Sequence, residues 1–399
     1  MEWRSARAQP SAGAEPAPVT TAGLSTSVND FGLLLLRTLT DGSGANVMVS
    51  PLSVSLALAM TYNGAAGDTK AAIAKTLGAA SLSDEDFNRN NRSLLDTIQK
   101  ADPAVQMEIA NALWVQSGFS IRPEFLKLSH DYFDASPESV DFARDPAKAA
   151  ATINGWVKEK TRDKIPEIIK ATEITGHSTA LVLTDAVYFK GRWVVPFDKT
   201  KTELKTFHLQ GARSVTTPMM AQEGKFEYAE TESFQAIRLP YGNNRFAMYV
   251  FLPRTNSSLP DFIRSLDEAH WREWTGKLAE RQGTIVLPKF ESTYGQLLNA
   301  ALKAMGMGVA FERSSADFSR IHPPHLWIDF VEHKTYMKVD EEGTEAAAAT
   351  AVGMSNDFVR ANPPPPFKMI VDHPFFCAIA EQQSGALLFA GVVTDPTQR

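Results

Sequence analysis

Apolar residues recur at helical spacing through most of the first half of the chain. Ser50 followed by Pro51 is a typical helix start, because a serine side chain caps the first turn and proline already has the backbone angle that this turn needs. Four segments are therefore predicted to be helices: SVNDFGLLLLRTL, SPLSVSLALAMTYNGA, DTKAAIAKTLG and PAKAAATINGWVKEKTRDKIPEII.

The second half has the composition and segment lengths of β-strands. Aromatic and β-branched residues dominate it, and YGNNR at 241–245 is typical of a hairpin turn. The fold class is therefore predicted to be α+β, in one domain with mostly non-local strand pairing. The predicted strands lie in TALVLTDAVYF, FQAIRLPYGNNRFAMYVFLP, GTIVLPKFE, HLWIDFVEHKTYMKV and GALLFAGVV.

Composition and charge exclude several function classes. The 399 residues are 44% hydrophobic and 22% charged, which is ordinary for a globular protein. The net charge of -6 is small and the basic residues are scattered, so neither nucleic acid nor a membrane surface is an expected partner. No stretch has the roughly 18 consecutive apolar residues of a membrane span. The single cysteine, Cys377, excludes an internal disulfide and is interpreted as a buried apolar residue.

The first 26 residues are rich in Ala, Pro, Ser and Gly and lack the apolar segment of a signal peptide. We interpret 1–26 as a disordered leader and 27–399 as the folded domain. The expected localisation is secreted, extracellular or periplasmic, with a signal peptide absent from this numbering. A cytoplasmic location is the alternative.

Two short motifs resemble catalytic or metal sites, but neither has the context that such a site needs. GHSTA at 176–180 nearly matches a nucleophile elbow, yet an elbow serine follows a strand and opens a helix, whereas a predicted strand follows Ser178. HPPH at 322–325 lacks a third and fourth ligand at metal spacing. We therefore expect no enzyme activity, no catalytic residue, no metal and no cofactor.

One segment does not fit its surroundings. VDEEGTEAAAATAVGM, from Val339 to Met354, contains four consecutive alanines, which favour a helix. It nevertheless follows a predicted strand and precedes ANPPPPFK, whose prolines exclude regular structure. A segment of mostly small side chains between a strand and a proline run therefore needs an explanation.

Four blocks of the chain resemble the serpins, the serine-protease-inhibitor family, in the same order and from about residue 28 to 397. The resemblance implies the serpin fold, in which one large central β-sheet, surrounded by helices, accepts an exposed reactive-centre loop as an extra strand. Here that loop would span about 341–367. The blocks are NVMVSPLSVSLALAMTYNGAAGDTKAAIAKTLG, LTDAVYFKGRWVVPF, HKTYMKVDEEGTEAAAATAV and VDHPFFCAIAEQQSGALLFAGVVTDPT.

The resemblance implies a suicide-substrate inhibitor of a serine or cysteine protease. The protease attacks the loop and forms an acyl-enzyme, the freed segment inserts into the sheet, and the attached protease is distorted before hydrolysis finishes. The active state is then metastable. The expected partner is the target protease, bound covalently by a monomer. The alternative is a non-inhibitory serpin that acts as a chaperone, carrier or storage protein.

The Ala-rich segment has the pattern of an inserting strand. Side chains alternate along an extended chain, so Thr344 and every second residue to Val352 form a small, uncharged inward set while Glu345 faces water. Gly343 provides backbone freedom at the pivot. The resemblance implies a hinge made of Glu341, Gly343, Thr344, Glu345, Ala346, Ala347, Ala348, Ala349 and Thr350.

Three residues match family positions at the end of the sheet where insertion begins, the breach. Glu341 and Lys289 match an ion pair there, which would tune opening more than global stability. Trp193 matches the aromatic residue that packs beneath this pair. An ordinary core tryptophan is the alternative for Trp193, and the two interpretations are compatible.

Three more residues match the polar cluster under the central strands, the shutter. Ser50, Ser53 and His333 are expected there in a buried hydrogen-bond network that breaks and reforms as the sheet parts. Asp185 departs from the family, which usually has Asn at this position. A carboxylate accepts hydrogen bonds but cannot donate unless it is protonated, so this network must be connected differently.

The spacing from Glu341 that is usual in the family predicts cleavage between Asp357 and Phe358. An aspartate before the scissile bond suits a caspase-like or granzyme-like protease. Met354, Phe358 and Arg360 are alternatives for subtilisin-like, chymotrypsin-like and trypsin-like enzymes, because the segment before VDHPF is longer than usual and the register can shift.

Overall fold

A computed structural model describes residues 21–175, 179–322, 326–344 and 364–398. Helices dominate the first half of this part of the chain and strands the second, as predicted. The α-helices are α1 (Thr21–Thr40), α2 (Pro51–Gly64), α3 (Gly67–Thr76), α4 (Asp84–Gln99), α5 (Pro123–Phe133), α6 (Pro146–Lys160), α7 (Leu259–Ser265), α8 (Glu268–Thr275) and α9 (Asn299–Leu302).

The strands form two sheets among the described residues. They are β1 (Val47–Val49), β2 (Gln106–Gln116), β3 (Glu138–Val140), β4 (Leu181–Arg192), β5 (Glu203–His208), β6 (Ser214–Glu230), β7 (Phe234–Tyr241), β8 (Phe246–Pro253), β9 (Ala279–Pro288), β10 (Phe290–Leu297), β11 (Ile328–Asp340), β12 (Gly343–Thr344), β13 (Phe367–Ile370), β14 (Phe375–Glu381) and β15 (Leu387–Val393).

The six-stranded sheet has the order β10-β11-β12-β4-β2-β3. Its central strands, β4 and β11, run parallel and pair directly from Leu181 with Ile328 to Tyr188 with Tyr336. We call this paired stretch the seam. Beyond the end of the seam at Tyr188 and Tyr336, β12 lies between β4 and β11 and runs antiparallel to both of them.

The nine-stranded sheet has the order β1-β15-β14-β8-β7-β6-β9-β13, with β5 paired to β6. The predicted hairpin turn joins β7 and β8, and Asn244 has a left-handed backbone there with φ 69°. The main core lies between this sheet, α1, α2 and the inner face of the six-stranded sheet.

Helix α2 crosses the inner face of the seam, and its sequence contains no charged residue. Every residue from Pro51 to Gly64 is buried, which is expected of a helix without a polar face. The predicted start is confirmed: the Ser50 hydroxyl accepts a hydrogen bond from the Ser53 N–H at 3.3 Å. This cap places both serines against the seam.

The outer face of the seam is covered by α6 and by the segment that returns from it. The predicted helix at 146–169 is too long, since α6 ends at Lys160 and Arg162 and Asp163 adopt positive φ angles of 52° and 63°. The Asn154 side chain then holds the returning segment by accepting from the Ile168 N–H at 2.8 Å and donating to the Ile169 carbonyl at 2.8 Å.

Among the other differences from the sequence analysis are those at α1, α4 and β2. Helix α1 begins at Thr21, so residues 21–26 are not part of a leader, and Leu24 is buried in the core. Helix α4 was not predicted because its sequence is mostly polar with a narrow apolar face, and β2 was not predicted because alternation in it is weak. No helix in the described ranges is long and apolar enough to cross a membrane.

Candidate functional site

The candidate site is the gap between β4 and β11 at the end of the seam, where β12 enters. Gly343 pairs with Asp340 on β11 and with Arg192 on β4, and Thr344 pairs with Val339 and Gly191. Gly343 and Thr344, the third and fourth residues of the predicted loop, therefore already occupy a strand position between two strands that are parallel to each other. A third strand with this direction can pair with both neighbours along its whole length.

Only glycine fits at position 343. Its φ is 152°, and a Cβ atom there would lie 2.1 Å from the Gly191 carbonyl oxygen and 2.7 Å from the Arg192 Cα. Both the backbone angle and the close approach to β4 exclude a side chain. The close approach to β4 therefore requires glycine at this position, and the pivot role of Gly343 stays a prediction.

Thr344 is fully buried at the tip of β12. Its hydroxyl lies 2.6 Å from the hydroxyl of Tyr241, and burial raises the pKa of Tyr241 well above its usual value. The tyrosine therefore keeps its proton, so either hydroxyl can donate to the other. The Trp193 ring stacks on Tyr241 with 4.3 Å between centroids, and its Nε1–H donates to the Asp340 carbonyl at 2.9 Å.

Glu341 precedes this insertion point and is held on two sides. Lys289 Nζ donates to one carboxylate oxygen at 2.7 Å, and the Thr202 hydroxyl donates to the other at 2.8 Å. Burial acts to raise the pKa of Glu341, but the hydrogen bonds from Lys289 and Thr202 outweigh it and the pKa lies below its usual value. The Lys289 side chain is 34% exposed, so water weakens this pair.

A buried polar cluster lies under the seam. Asp185 on β4 and His333 on β11 are register partners, and both are fully buried. His333 Nδ1 contacts Asp185 Oδ1, the Ser53 hydroxyl contacts Asp185 Oδ2, and the Ser50 N–H donates to His333 Nε2 at 3.2 Å. The partly buried Asn111 on β2 borders this cluster, with its Oδ1 3.0 Å from the Ser53 hydroxyl.

On the outer face of the seam, Glu332 faces the segment that returns from α6. Burial is the main cause that raises the pKa of Glu332 to about 7; the Glu173 carboxylate acts in the same direction, and Lys334 acts to lower the pKa. The Lys334 ammonium donates to the Glu167 carbonyl in the same returning segment at 2.6 Å. A strand that enters the seam has to pass beneath these contacts.

The remaining predicted residues lie outside the described part of the chain. They are Glu345, Ala346, Ala347, Ala348, Ala349 and Thr350 of the hinge, Met354, Asp357, Phe358 and Arg360 of the cleavage region, and Ser178 of GHSTA. Within the described ranges, no group of three or more His, Cys, Asp or Glu side chains has the arrangement of a metal site.

Sequence reasoning missed Tyr241, Asn111 and Thr202, which contact predicted site residues. Tyr241 and Thr202 carry no local signal, because each meets its partner through tertiary packing. Asn111 carries a weak one, since a polar side chain stands among apolar neighbours in NALWV. An unpaired amide in such a strand would be costly, so a hydrogen-bond partner was to be expected.

Comparison with known proteins gives the family. Residues 26–396 match the family model "Serpin (serine protease inhibitor)". An uncharacterized serpin-like protein of Thermococcus kodakarensis is 35% identical over 372 residues, which cover 93% of this chain and 85% of that protein. Serpin B8 of Homo sapiens is 32% identical over 372 residues, covering 92% of this chain and 97% of that protein.

Solved structures agree. The native state of tengpin, a thermophilic serpin, has a TM-score of 0.83 at 28% identity and covers 93% of this chain and 94% of its own. Human thyroxine-binding globulin in complex with thyroxine has a TM-score of 0.86 at 25% identity and covers 95% and 100%. The chain belongs to the serpin family, and the predicted α+β serpin fold is confirmed.

The steric argument at Gly343 predicts a specific loss of stability. We expect Gly343→Ala to lower the free energy of unfolding by about 1–3 kcal/mol, because the added Cβ must displace β12 or strain β4. Urea unfolding measures this change. The control is Gly224→Ala in β6, where an added Cβ meets only Phe226 ring atoms at 3.8 Å. Equal losses in the two variants would contradict the argument.

The raised pKa of Glu332 predicts a stability that falls as pH rises. The folded protein favours the protonated carboxyl, so this contribution is present below pH 4.5 and is lost as pH rises to about 7. Glu332→Gln cannot ionise and should gain up to about 3 kcal/mol over the wild type between about pH 4 and 8. Urea unfolding across this range tests it, with the exposed Glu232→Gln as control. A gain that does not depend on pH would refute the assignment.

Proposed function

We propose that this serpin is an inhibitory one, which traps a protease by inserting its cleaved loop into the seam. The observation that carries the proposal is β12. Gly343 and Thr344 pair with both β11 and β4, so a strand continued from Thr344 would enter the seam in the correct strand direction.

The register of β12 predicts where the later loop residues would lie after insertion. Counting six residues forward from Thr344 gives Thr350, and six back from Val339 and Gly191 gives His333 and Asp185. Thr350 would then lie between His333 and Asp185. Its side chain would face inward, as the side chain of Thr344 does.

The composition of the loop supports this register. The residues on the same side as Thr344 are small and uncharged as far as Val352, so they fit between α2 and the sheet without burying a charge. The inserted strand would replace the direct pairing of β4 with β11 by two antiparallel ladders. The gain in backbone hydrogen bonds and burial would provide the free energy that distorts the protease.

The roles of the surrounding residues follow from their positions. We infer that Glu341, Lys289 and Trp193 hold the insertion point closed until the loop is cut. We also infer that Ser50, Ser53, Asp185 and His333 control how readily β4 and β11 part.

The protein would supply no catalytic group in this mechanism. The target protease would attack the loop, and we propose the bond from Asp357 to Phe358 for cleavage, with Met354, Phe358 and Arg360 as alternative residues before the bond. Deacylation by water would compete with insertion, so the rate at which the seam opens would set how much inhibitor is lost as cleaved substrate. A non-inhibitory serpin would retain the fold without needing the small inward residues of the loop.

A large charged side chain at Thr344, at the tip of β12, should convert the inhibitor into a substrate. Thr344→Arg places a guanidinium where the side chain is fully buried and where the Thr344 hydroxyl contacts the hydroxyl of Tyr241. We expect SDS-stable complexes with a panel of proteases to fall at least tenfold while loop cleavage continues. The control is Thr344→Ser, which keeps the hydroxyl near Tyr241. Unchanged complex formation by the arginine variant would rule out insertion.

Cleavage of the loop should stabilise the protein, because it adds a central strand to the sheet. We expect the melting temperature to rise after limited proteolysis whose site is mapped by mass spectrometry to 354–361. An ordinary surface loop would leave the melting temperature equal or lower after the same cut. That second result would move the protein to the non-inhibitory class.

A further inference from the structure

The connection between β13 and β14 joins the edge strand of the nine-stranded sheet to one of its inner strands. It consists of residues 371–374, and the Asp372 carbonyl accepts a hydrogen bond from the His208 N–H at 2.7 Å. Pro374 has no N–H to donate. The His373 side chain adds contacts that the backbone cannot make at this point.

Both ring nitrogens of His373 face oxygen atoms. Nδ1 lies 2.8 Å from Asp372 Oδ1, and Nε2 lies 2.7 Å from the Pro253 carbonyl oxygen at the end of β8. We call these two contacts the histidine link. A carbonyl oxygen can only accept a hydrogen bond, so Nε2 has to carry a proton. An ionised carboxylate also only accepts, so with Asp372 ionised both nitrogens carry protons and the ring is positively charged.

A proton on Asp372 in place of Nδ1 is the alternative, and the surroundings disfavour it. The Asp372 side chain is 36% exposed, so water solvates its charge. The hydrogen bond from His373 outweighs partial burial and holds the pKa of Asp372 below its usual value. Burial acts to lower the pKa of His373, but the hydrogen bonds to Asp372 and Pro253 outweigh it and the pKa lies above its usual value. An imidazolium beside a carboxylate is therefore the favoured state.

The charged neighbours of this connection leave His373 with one ionic partner. Within the described ranges, Asp372 is the charged side chain that acts on it. From β5, the His208 imidazole acts on Asp372 and lowers its pKa. After β8, Arg254 is paired with a glutamate of β6, and Lys368 of β13 is exposed. The proton of the histidine link thus depends on the contacts described above.

We propose that His373 is positively charged in the folded protein near neutral pH, that it holds the β13–β14 connection against the end of β8, and that this link weakens as pH rises. Loss of the Nδ1 proton to solvent leaves a lone pair facing the Asp372 carboxylate, and the two repel each other. The hydrogen bond from Nε2 to Pro253 loses the charge that strengthened it. The link does not depend on the proposed function. If that function holds, the link also helps to fix β13, the strand at which the predicted loop ends.

The first test observes the protons themselves. Nitrogen-15 NMR of the full chain, labelled at histidine, distinguishes ring nitrogens that carry a proton from those that do not. His373→Gln identifies the signals by their loss, with His373→Asn as a second variant if the first does not fold. We expect the ring to be mostly in the doubly protonated form at about pH 6.5, with a titration midpoint above this value for an unperturbed histidine. A midpoint at or below about 6.5 would overturn the proposal.

Asp372→Asn tests the cause of the charge. Asparagine keeps an oxygen that can accept from Nδ1 but removes the negative charge, so the titration midpoint of His373 should move to lower pH. The control is Asp131→Asn on α5, which removes a carboxylate beside a different histidine, His130, and should leave the midpoint of His373 unchanged. An unchanged midpoint in Asp372→Asn would refute the ion pair.

Hydrogen exchange tests whether the link holds β13. A histidine whose pKa is raised by folding stabilises the folded state below about pH 6.5, and this contribution is lost as pH rises through the folded pKa. We expect the protection of amides 368–371, corrected for intrinsic exchange, to fall about threefold or more from about pH 6 to 9 in the wild type and to stay flat in His373→Gln.

Two comparisons make this measurement decisive. Amides 247–250 of the inner strand β8 should show the same protection in the wild type and in His373→Gln at each pH. Equal pH profiles of 368–371 in the two proteins would refute the link to β13, even with the proton located on His373 by NMR. Neither experiment uses a protease, so a failure of the proposed function would leave both results readable.

Discussion

The structure depends on one pairing, the direct parallel contact of β4 with β11. These strands are hydrogen-bonded to each other along the seam, yet beyond its end they already admit Gly343 and Thr344 between them. Two parallel strands can accept an antiparallel strand between them without reversing either one. The other features of the candidate site lie around this pairing: Glu341 and Trp193 at its open end, α2 beneath it, and the segment after α6 above it.

The sequence predicts much of this arrangement, because local patterns determine the helix and the strands that form the candidate site. The Ser50 and Pro51 helix start, the apolar α2 and the β-branched strands were all readable, and four family blocks in order implied the topology. Helix α4 was not readable because its apolar face is narrow. The end of α6 depends on Asn154 contacting a segment fourteen residues later, and spacing alone cannot show such a contact.

Part of the candidate site could also be predicted from the sequence, and part of it could not. Glu341, Lys289 and His333 could be assigned from their motifs, but Tyr241 and Asn111 contact the site only because the fold brings distant strands together. Asp185 stood out in the sequence as a departure from the family. Its surroundings needed the structure, because only the fold shows that Asp185 contacts both Ser53 on α2 and His333 on β11.

The central claim is that the cleaved loop enters between β4 and β11, and a crystal structure of the cleaved protein tests it most directly. Tyr188 and Tyr336 are register partners across the seam, with ring centroids 6.2 Å apart. Insertion of a strand should increase the Cα separation of this pair from about 5 Å to about 10 Å, the difference between one and two strand spacings. A cleaved protein in which β4 and β11 remain directly paired would contradict the account.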